Sequence, residues 1–240
     1  TNTWRGGLGG DNTIFCREVE VFGNPTGGAP VIEPVTQPTG DPLIETRDLR
    51  LFRRWALDDD RRLTMAVLGD SLASCDEETW PQVVAERLAL VRPDEAEVSV
   101  TAMTEDGLEP SPSLGYVSLT AEAEADIVFV TFGTDLQTWD GVAFRSGLAG
   151  LVSRLLEETD ALVVLVGPAV GDADRVDVGR RALVEMEKLA DMLSLPVVRT
   201  EAALLQDGLS LIRNPEGELM TEARDVLATS VLELLLQPQM

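Results

Sequence analysis

Short runs of Val, Ile and Leu alternate through most of this chain with longer segments whose apolar residues recur at helical spacing. The apolar runs predict strands at 63–68, 97–103, 125–132, 161–166 and 195–198, and the longer segments predict helices at 77–90, 142–158, 180–193 and 221–236. This alternation is typical of βα units, which build a parallel sheet covered by helices on both faces. We therefore expect an α/β fold, a three-layer sandwich with right-handed crossovers.

The beginning of the chain has a different pattern. Residues 13–22 alternate in part between apolar and charged side chains, the period of a β-strand, whereas prolines and glycines are frequent in residues 23–42. A strand segment this short cannot bury a β core alone. We therefore expect the segment to complete an upstream domain, a partner chain or the sheet edge of the following domain. We predict a terminal strand of a β-rich module at 1–23, a Pro/Gly-rich linker at 24–47 and an α/β domain at 48–240.

The charge and the apolar content of the chain limit the kinds of molecule with which we expect it to interact. The chain has 42 acidic residues against 19 Lys and Arg, a formal net charge of −23. Such a surface repels phosphate backbones, so we expect no nucleic-acid partner; the charge serves solubility or suits a cation-rich setting outside the cell. No apolar run approaches the roughly 20 residues that span a bilayer, and we expect no membrane insertion.

An acidic run is the one candidate for a metal site, formed by Asp172, Asp174 and Asp177. It lacks the full signature of a calcium loop. We expect no metal and no cofactor.

The loop after the first predicted strand of the α/β domain is the first candidate for chemistry. In parallel α/β sheets, ligands bind beyond the carboxyl ends of the strands. There the sequence reads Gly69-Asp70-Ser71-Leu72, and a serine at a strand-to-helix turn suits a nucleophile whose neighbouring amides face a developing oxyanion. The alternative is an ordinary helix N-cap formed by Asp70 or Ser71.

The order of the loops along the chain resembles that of the SGNH (GDSL) hydrolases over residues 62–236. Their first block reads G-D-S-L, the second contributes a glycine, the third reads G-x-N-D and the last reads D-x-x-H. The resemblance implies a flavodoxin-like α/β fold, with Ser71 as nucleophile and Gly107 as the glycine that lends an amide to the oxyanion hole. It places Asp135 on the third-block asparagine, and Asp207 keeps the acid of the last block in one placement of that block.

The chain departs from the SGNH pattern at the residues that would act as the general base and as an oxyanion donor. The chain has no histidine, and the position of the catalytic histidine holds Ser210 or Ile212, depending on the placement. Neither side chain takes the proton from Ser71, and a carboxylate at Asp135 repels an oxyanion that an asparagine amide would stabilise. We therefore expect Ser71, Gly107, Asp135 and Asp207 to be vestigial catalytic residues. The alternative is that Asp70, Asp135 and Asp207 converge, so that one carboxyl acquires the raised pKa of a general base.

The strand at 14–23 resembles the last strand of discoidin-type, galactose-binding-like modules, and a plain edge strand is the alternative. Together the two resemblances imply a catalytically degenerate SGNH-like domain, extracellular, at a cell surface or in a virion such as a phage tail. It would bind or support its neighbours, contacting glycans or neighbouring protein subunits. One alternative is an active serine esterase or deacetylase on acylated carbohydrate, with a non-histidine or partner-supplied base. The other is a purely structural α/β domain.

Overall fold

The computed structural model describes residues 43–44, 62–73, 79–92, 97–105, 108–136, 138–169, 176–206 and 220–236. The chain divides into two compact units, Thr1–Pro34 and Val35–Met240, and all described residues belong to the second. The predicted strand of the first segment, at 1–23, lies outside the described residues. So does the predicted linker, apart from residues 43–44.

The secondary structure alternates as the apolar pattern predicts. The strands are β1 (Leu43–Ile44), β2 (Leu63–Gly69), β3 (Val98–Thr104), β4 (Ile127–Thr131), β5 (Leu162–Val166) and β6 (Val197–Val198). The helices are α1 (Trp80–Val91), α2 (Val117–Glu122), α3 (Gly141–Glu158), α4 (Val176–Leu193), α5 (Thr200–Gln206) and α6 (Thr221–Leu236). Short 3-10 turns at Ser71–Ala73 and Pro112–Tyr116 complete the described elements.

The strands form one sheet in the order β1-β6-β5-β4-β2-β3. Strands β2 to β6 are parallel, and β1 is antiparallel to β6 through the pairs Leu43↔Val198 and Ile44↔Val197. This confirms the predicted α/β fold with a parallel sheet. The strand order reverses at β2, which lies between β3 and β4, so the crevice where α/β folds bind ligands opens beyond the carboxyl end of β2.

Helices cover both faces of the sheet, and each face has its own apolar core. Side chains alternate along β2, so Met65 and Val67 pack with α1 and α6, whereas Ala66 and Leu68 pack with α3 and α4. The two cores give the three layers of the sandwich. Among the described residues, no helix combines the length and the apolar character that a membrane crossing requires.

Candidate active site at the carboxyl end of strand β2

Gly69 allows the last residues of β2 and β4 to approach each other closely. A Cβ atom added at Gly69 would lie 1.8 Å from the carbonyl oxygen of Thr131, which no side chain tolerates. The next amide, that of Asp70, donates to the same oxygen at 3.2 Å. The backbone then turns into the short 3-10 helix at Ser71–Ala73, which begins with the half-buried Ser71. The glycine therefore sets the position of the candidate nucleophile relative to the loop after β4.

Asp70 ties the loop after β2 to the loop after β4. Its side chain is buried, with 1% of its surface exposed. The Oδ2 atom accepts hydrogen bonds from the Thr134 amide at 2.7 Å and from the Asp135 amide at 3.3 Å, and Oδ1 accepts from the Leu72 amide at 3.3 Å. The Leu72 contact caps the 3-10 turn, as the N-cap interpretation expects, but the other two contacts join separate loops.

The environment of Asp70 raises the pKa of its carboxyl from 3.8 to about 7. Burial is the largest cause, because desolvation disfavours the charged form, and the nearby charge of Asp135 adds to it. The three amide hydrogen bonds act in the opposite direction, since they favour the carboxylate. The predicted convergence of acids is thus present for Asp70 and Asp135, and Asp207 lies outside the described residues.

Asp135 lies against the amide that a serine nucleophile of this type uses. Its Oδ2 atom accepts a hydrogen bond from the backbone N–H of Ser71 at 2.9 Å. In acyl transfer, the amide of the nucleophile is a typical donor to the tetrahedral oxyanion. In this chain the Ser71 amide already donates its hydrogen bond to the Asp135 carboxylate. The sequence predicted an acid near the oxyanion position, and the structure adds the amide to which it binds.

The Asp135 loop owes its shape to the two residues before it. Gly133 has a φ of 101°, a left-handed conformation that favours glycine, and an added Cβ would lie 2.6 Å from the Cβ of Ala182 in α4. Thr134 is buried, and its Oγ1 accepts from the Ala169 amide at 3.3 Å, which joins this loop to the one after β5. Backbone conformation and tertiary contacts therefore fix Asp135 beside Ser71.

Thr104, at the end of β3, is a further site residue that the sequence did not indicate. Its hydroxyl donates to the Asp70 carbonyl at 2.6 Å, so the loop after β2 is held from both neighbouring strands. Gly107, Asp207 and Ser210 lie outside the described residues, and so does Ile212. Within the described ranges, no group of three or more His, Cys, Asp or Glu side chains is placed to hold a metal ion.

No protein-family model matches this sequence, and no curated protein sequence does either. Solved structures do match. The structure of TesA is 20% identical, with a TM-score of 0.58, over 72% of this chain and 97% of that one. A putative lipolytic protein of the G-D-S-L family from Desulfitobacterium hafniense is 14% identical, with a TM-score of 0.58, over 72% of this chain and 99% of that one. The domain has the SGNH-hydrolase fold.

The SGNH fold also occurs in a much longer protein among these matches. The tail fiber protein gp63.1 from E. coli phage G7C is 13% identical, with a TM-score of 0.55, over 78% of this chain and 28% of that one. At such identities the likeness is one of fold. The predicted resemblance to the SGNH hydrolases is confirmed at the level of the fold.

The raised pKa of Asp70 predicts a specific dependence of stability on pH. Because the folded-state pKa of about 7 lies above the ordinary 3.8, the native state holds this proton more tightly than the unfolded state does. The stabilisation is therefore complete below about pH 3.8 and is lost as the pH rises through about 7. The free energy of unfolding of the wild type, relative to Asp70→Asn, should fall by up to about 1.4 kcal/mol per pH unit in that window.

Urea denaturation of the wild type and Asp70→Asn at several pH values between about 5 and 8 tests this. Asparagine does not titrate, so the difference between the two proteins isolates Asp70 from the other acids. A difference that stays constant across the window would show that Asp70 is ionised throughout.

Proposed function

We propose that this domain is a catalytically inactive member of the SGNH fold, with a binding or structural role in a modular surface or virion protein. The observation that carries the proposal is the hydrogen bond from the Ser71 amide to the Asp135 carboxylate at 2.9 Å. It bears on catalysis because stabilisation of the oxyanion is usually the largest electrostatic contribution to acyl transfer.

The position of Asp135 opposes catalysis in two ways. A substrate oxyanion would have to displace the carboxylate from the Ser71 amide before it could use that donor. Even displaced, the carboxylate would remain close to the developing negative charge and raise the energy of the intermediate. An asparagine at this position would donate a hydrogen bond instead. The residue thus removes one donor and adds a repulsive charge.

The sequence also supplies no conventional base for Ser71, because it contains no histidine. Asp70, whose carboxyl has a pKa of about 7, is the acid to consider as a general base. Both of its carboxylate oxygens accept backbone amides, however, and its side chain is 1% exposed. These contacts support a structural role for Asp70 and argue against proton transfer from the Ser71 hydroxyl to its carboxylate.

We propose that the domain contacts glycans or neighbouring protein subunits, outside the cell or in a virion. The likeness to a phage tail fiber protein, of which this chain spans 28%, supports a setting in which an SGNH-fold domain is one part of a larger assembly. The discoidin-type resemblance of the strand at 14–23 agrees with a modular surface protein. The net charge of −23 favours partners other than nucleic acids.

Hydrolysis of a short-chain aryl acetate by the purified chain, beside its Ser71→Ala variant, tests the proposal. We expect equal rates, close to that of the uncatalysed reaction, from about pH 5 to about pH 9, because changing the pH supplies neither a base nor an oxyanion donor. A rate that depends on Ser71 would contradict the proposal and favour an active esterase with an unconventional base. For the inactive domain, a glycan array then separates a glycan-binding role from a purely structural one.

A further inference from the structure

Strand β3 forms one edge of the sheet. Among the described residues it has a neighbouring strand only in β2, whereas the opposite edge of the sheet ends in the two-residue strand β1. Strand β3 has seven residues, Val98–Thr104, and all of them pair with β2. An edge strand of this length leaves a row of backbone groups that another strand can use.

The hydrogen bonds to β2 show which backbone groups of β3 point outwards. The Leu63 amide donates to the Glu97 carbonyl at 2.9 Å, and Leu63 lies opposite Val98 in a parallel pair. In such a ladder, every second residue directs both its N–H and its C=O to the neighbouring strand. Glu97 and every second residue after it therefore face β2, so Val98, Val100 and Ala102 direct their groups away from it. In the described part of the chain these outward groups have no backbone partner.

The sequence of β3 has none of the features that usually protect an edge strand. Charged side chains, prolines and bulges hinder the pairing of an edge with another chain. Residues 98–104 read Val-Ser-Val-Thr-Ala-Met-Thr, without a charged residue, proline or glycine. Their register with β2 is continuous, so β3 contains no bulge. The edge is therefore suited to accept a further strand.

The two faces of β3 indicate which side chains an added strand should carry. Val98 and Val100 are half-buried and pack against the core formed with α1 and α6. On the other face, Ser99 is half-buried and Thr101 is exposed. Because cross-strand neighbours share a face, an added strand matches β3 when it alternates apolar residues with Ser or Thr.

Acidic residues flank β3 in the sequence at both ends. Glu95 and Glu97 precede the strand, and Glu105 and Asp106 follow it. Arg62 reaches Glu97 at 3.7 Å but is 59% exposed, so it offsets little of this charge. If two β3 strands paired, in either direction, acids at an end of one would lie beside acids at an end of the other. A second copy is therefore disfavoured, and a strand with Lys or Arg at both ends is favoured.

We propose that the outer edge of β3 is a docking site for an extended strand of a neighbouring protein subunit, with an uncharged, alternating centre between Lys or Arg residues. The backbone groups of Val98, Val100 and Ala102 supply the hydrogen bonds, as when a peptide adds a strand to a sheet. The side-chain alternation and the charges at the ends select the partner. Docking at this edge is independent of the reactivity of Ser71.

The test uses the full chain and a fluorescein-labelled peptide of about eleven residues, with alternating Val and Thr at its centre and two Lys at each end. Each Thr is N-methylated, so the peptide pairs through one edge only and cannot assemble into longer sheets. Fluorescence anisotropy should show saturable binding that weakens as the salt concentration rises, because salt screens the end charges. The same peptide N-methylated at every central residue lacks backbone donors and should not bind.

Val100→Pro is the blocking variant, because proline removes the outward N–H and its ring lies where the added strand would pair. Val100→Thr is the matched control, since it keeps that N–H. We expect at least about tenfold weaker binding for Val100→Pro and the affinity of the wild type for Val100→Thr. Ala102→Pro blocks the same edge at a second position and should weaken binding similarly. Far-UV circular dichroism confirms that each variant is folded.

A further variant tests the direction of the backbone groups without a ligand. The Thr101 amide faces β2, so Thr101→Pro breaks the ladder and should be less stable in urea than Val100→Pro. Equal stability of these two variants would overturn the assignment of the outward groups and with it the proposal.

Four binding results would also overturn the proposal. The first is an absence of saturable binding to the wild type. The second is equal binding to the wild type and to folded Val100→Pro or Ala102→Pro. The third is equal binding of a peptide with Glu in place of Lys, which would show that the flanking acids select nothing. The fourth is a dimer in sedimentation that Val100→Pro dissociates, because the occupant would then be a second copy.

Discussion

Gly69→Ala is expected to destabilise the domain by more than about 4 kcal/mol, or to prevent its folding. The added Cβ would lie 1.8 Å from the carbonyl oxygen of Thr131, a backbone atom held in the β2–β4 ladder by the pair Gly69↔Thr131. No side-chain rotation relieves a contact with a backbone oxygen. The two central strands would have to separate, which would break the hydrogen bond from the Asp70 amide to the same oxygen.

Gly150→Ala in helix α3 is the matched control for that substitution. Nothing lies within 4 Å of a Cβ added at Gly150, and alanine favours the helix by up to about 1 kcal/mol over glycine. Urea denaturation of both variants gives the comparison, and we expect opposite signs for the two changes in the free energy of unfolding. A Gly69→Ala variant as stable as the wild type would show that β2 and β4 do not approach each other as described.

Trp80→Ala is expected to lower the free energy of unfolding by about 3–5 kcal/mol. The Trp80 ring is 1% exposed and packs edge-on against Phe129, with ring centroids 5.5 Å apart and an interplanar angle of 84°. Its Nε1 donates to the Leu72 carbonyl at 2.7 Å, which joins α1 to the turn that carries Ser71. Truncation therefore leaves both a cavity and an unpaired buried carbonyl.

Trp80→Phe separates these two contributions. Phenylalanine keeps an aromatic ring against Phe129 but cannot donate to Leu72, so we expect a smaller loss, of about 1–3 kcal/mol. Trp139→Ala is a second comparison, because Trp139 is only half-buried and should lose less than Trp80→Ala. Equal losses for Trp80→Ala and Trp139→Ala would contradict the placement of Trp80 in the core.

Most of the fold follows from the apolar pattern, because long periodic segments leave few alternatives. The helix predicted at 221–236 is α6 with the same ends, and the helix predicted at 142–158 differs from α3 by one residue. One boundary shifts at a helix start. Helix α4 begins at Val176, four residues before the prediction, and Asp177 in its first turn suits the positive end of the helix dipole. The prediction for α1 began three residues early, and Trp80–Pro81 opens that helix.

The short elements were missed for a physical reason. Strand β1 has two residues, which carry no periodicity, and it forms by pairing with β6. Helices α2 and α5 have six and seven residues, too few to show a helical stripe, and packing stabilises them. Such elements depend on contacts between distant residues, which the local pattern does not contain.

The sequence predicted that Ser71 and Asp135 lie together but not which of their atoms meet, and the placement of Gly107 and Asp207, outside the described residues, stays a prediction. The order of the loops along the chain brings Ser71 and Asp135 to the same edge of the sheet, and the structure confirms this proximity. That the Asp135 carboxylate binds the Ser71 amide follows from the turn at Gly133 and its contact with α4, which the sequence does not reveal. The bridging role of Asp70 likewise arises only when two loops meet.

The reactivity of Ser71 towards a fluorophosphonate tests the central claim most directly. This reagent forms a phosphorus–oxygen bond to an activated serine hydroxyl and releases fluoride, and the mass of the intact chain reports the adduct. The Ser71 amide is already bound to the Asp135 carboxylate and the chain has no histidine. We therefore predict that the wild type and Ser71→Ala each keep the mass of the unreacted chain. An adduct on the wild type that Ser71→Ala abolishes would contradict the account and show that Ser71 is an activated nucleophile.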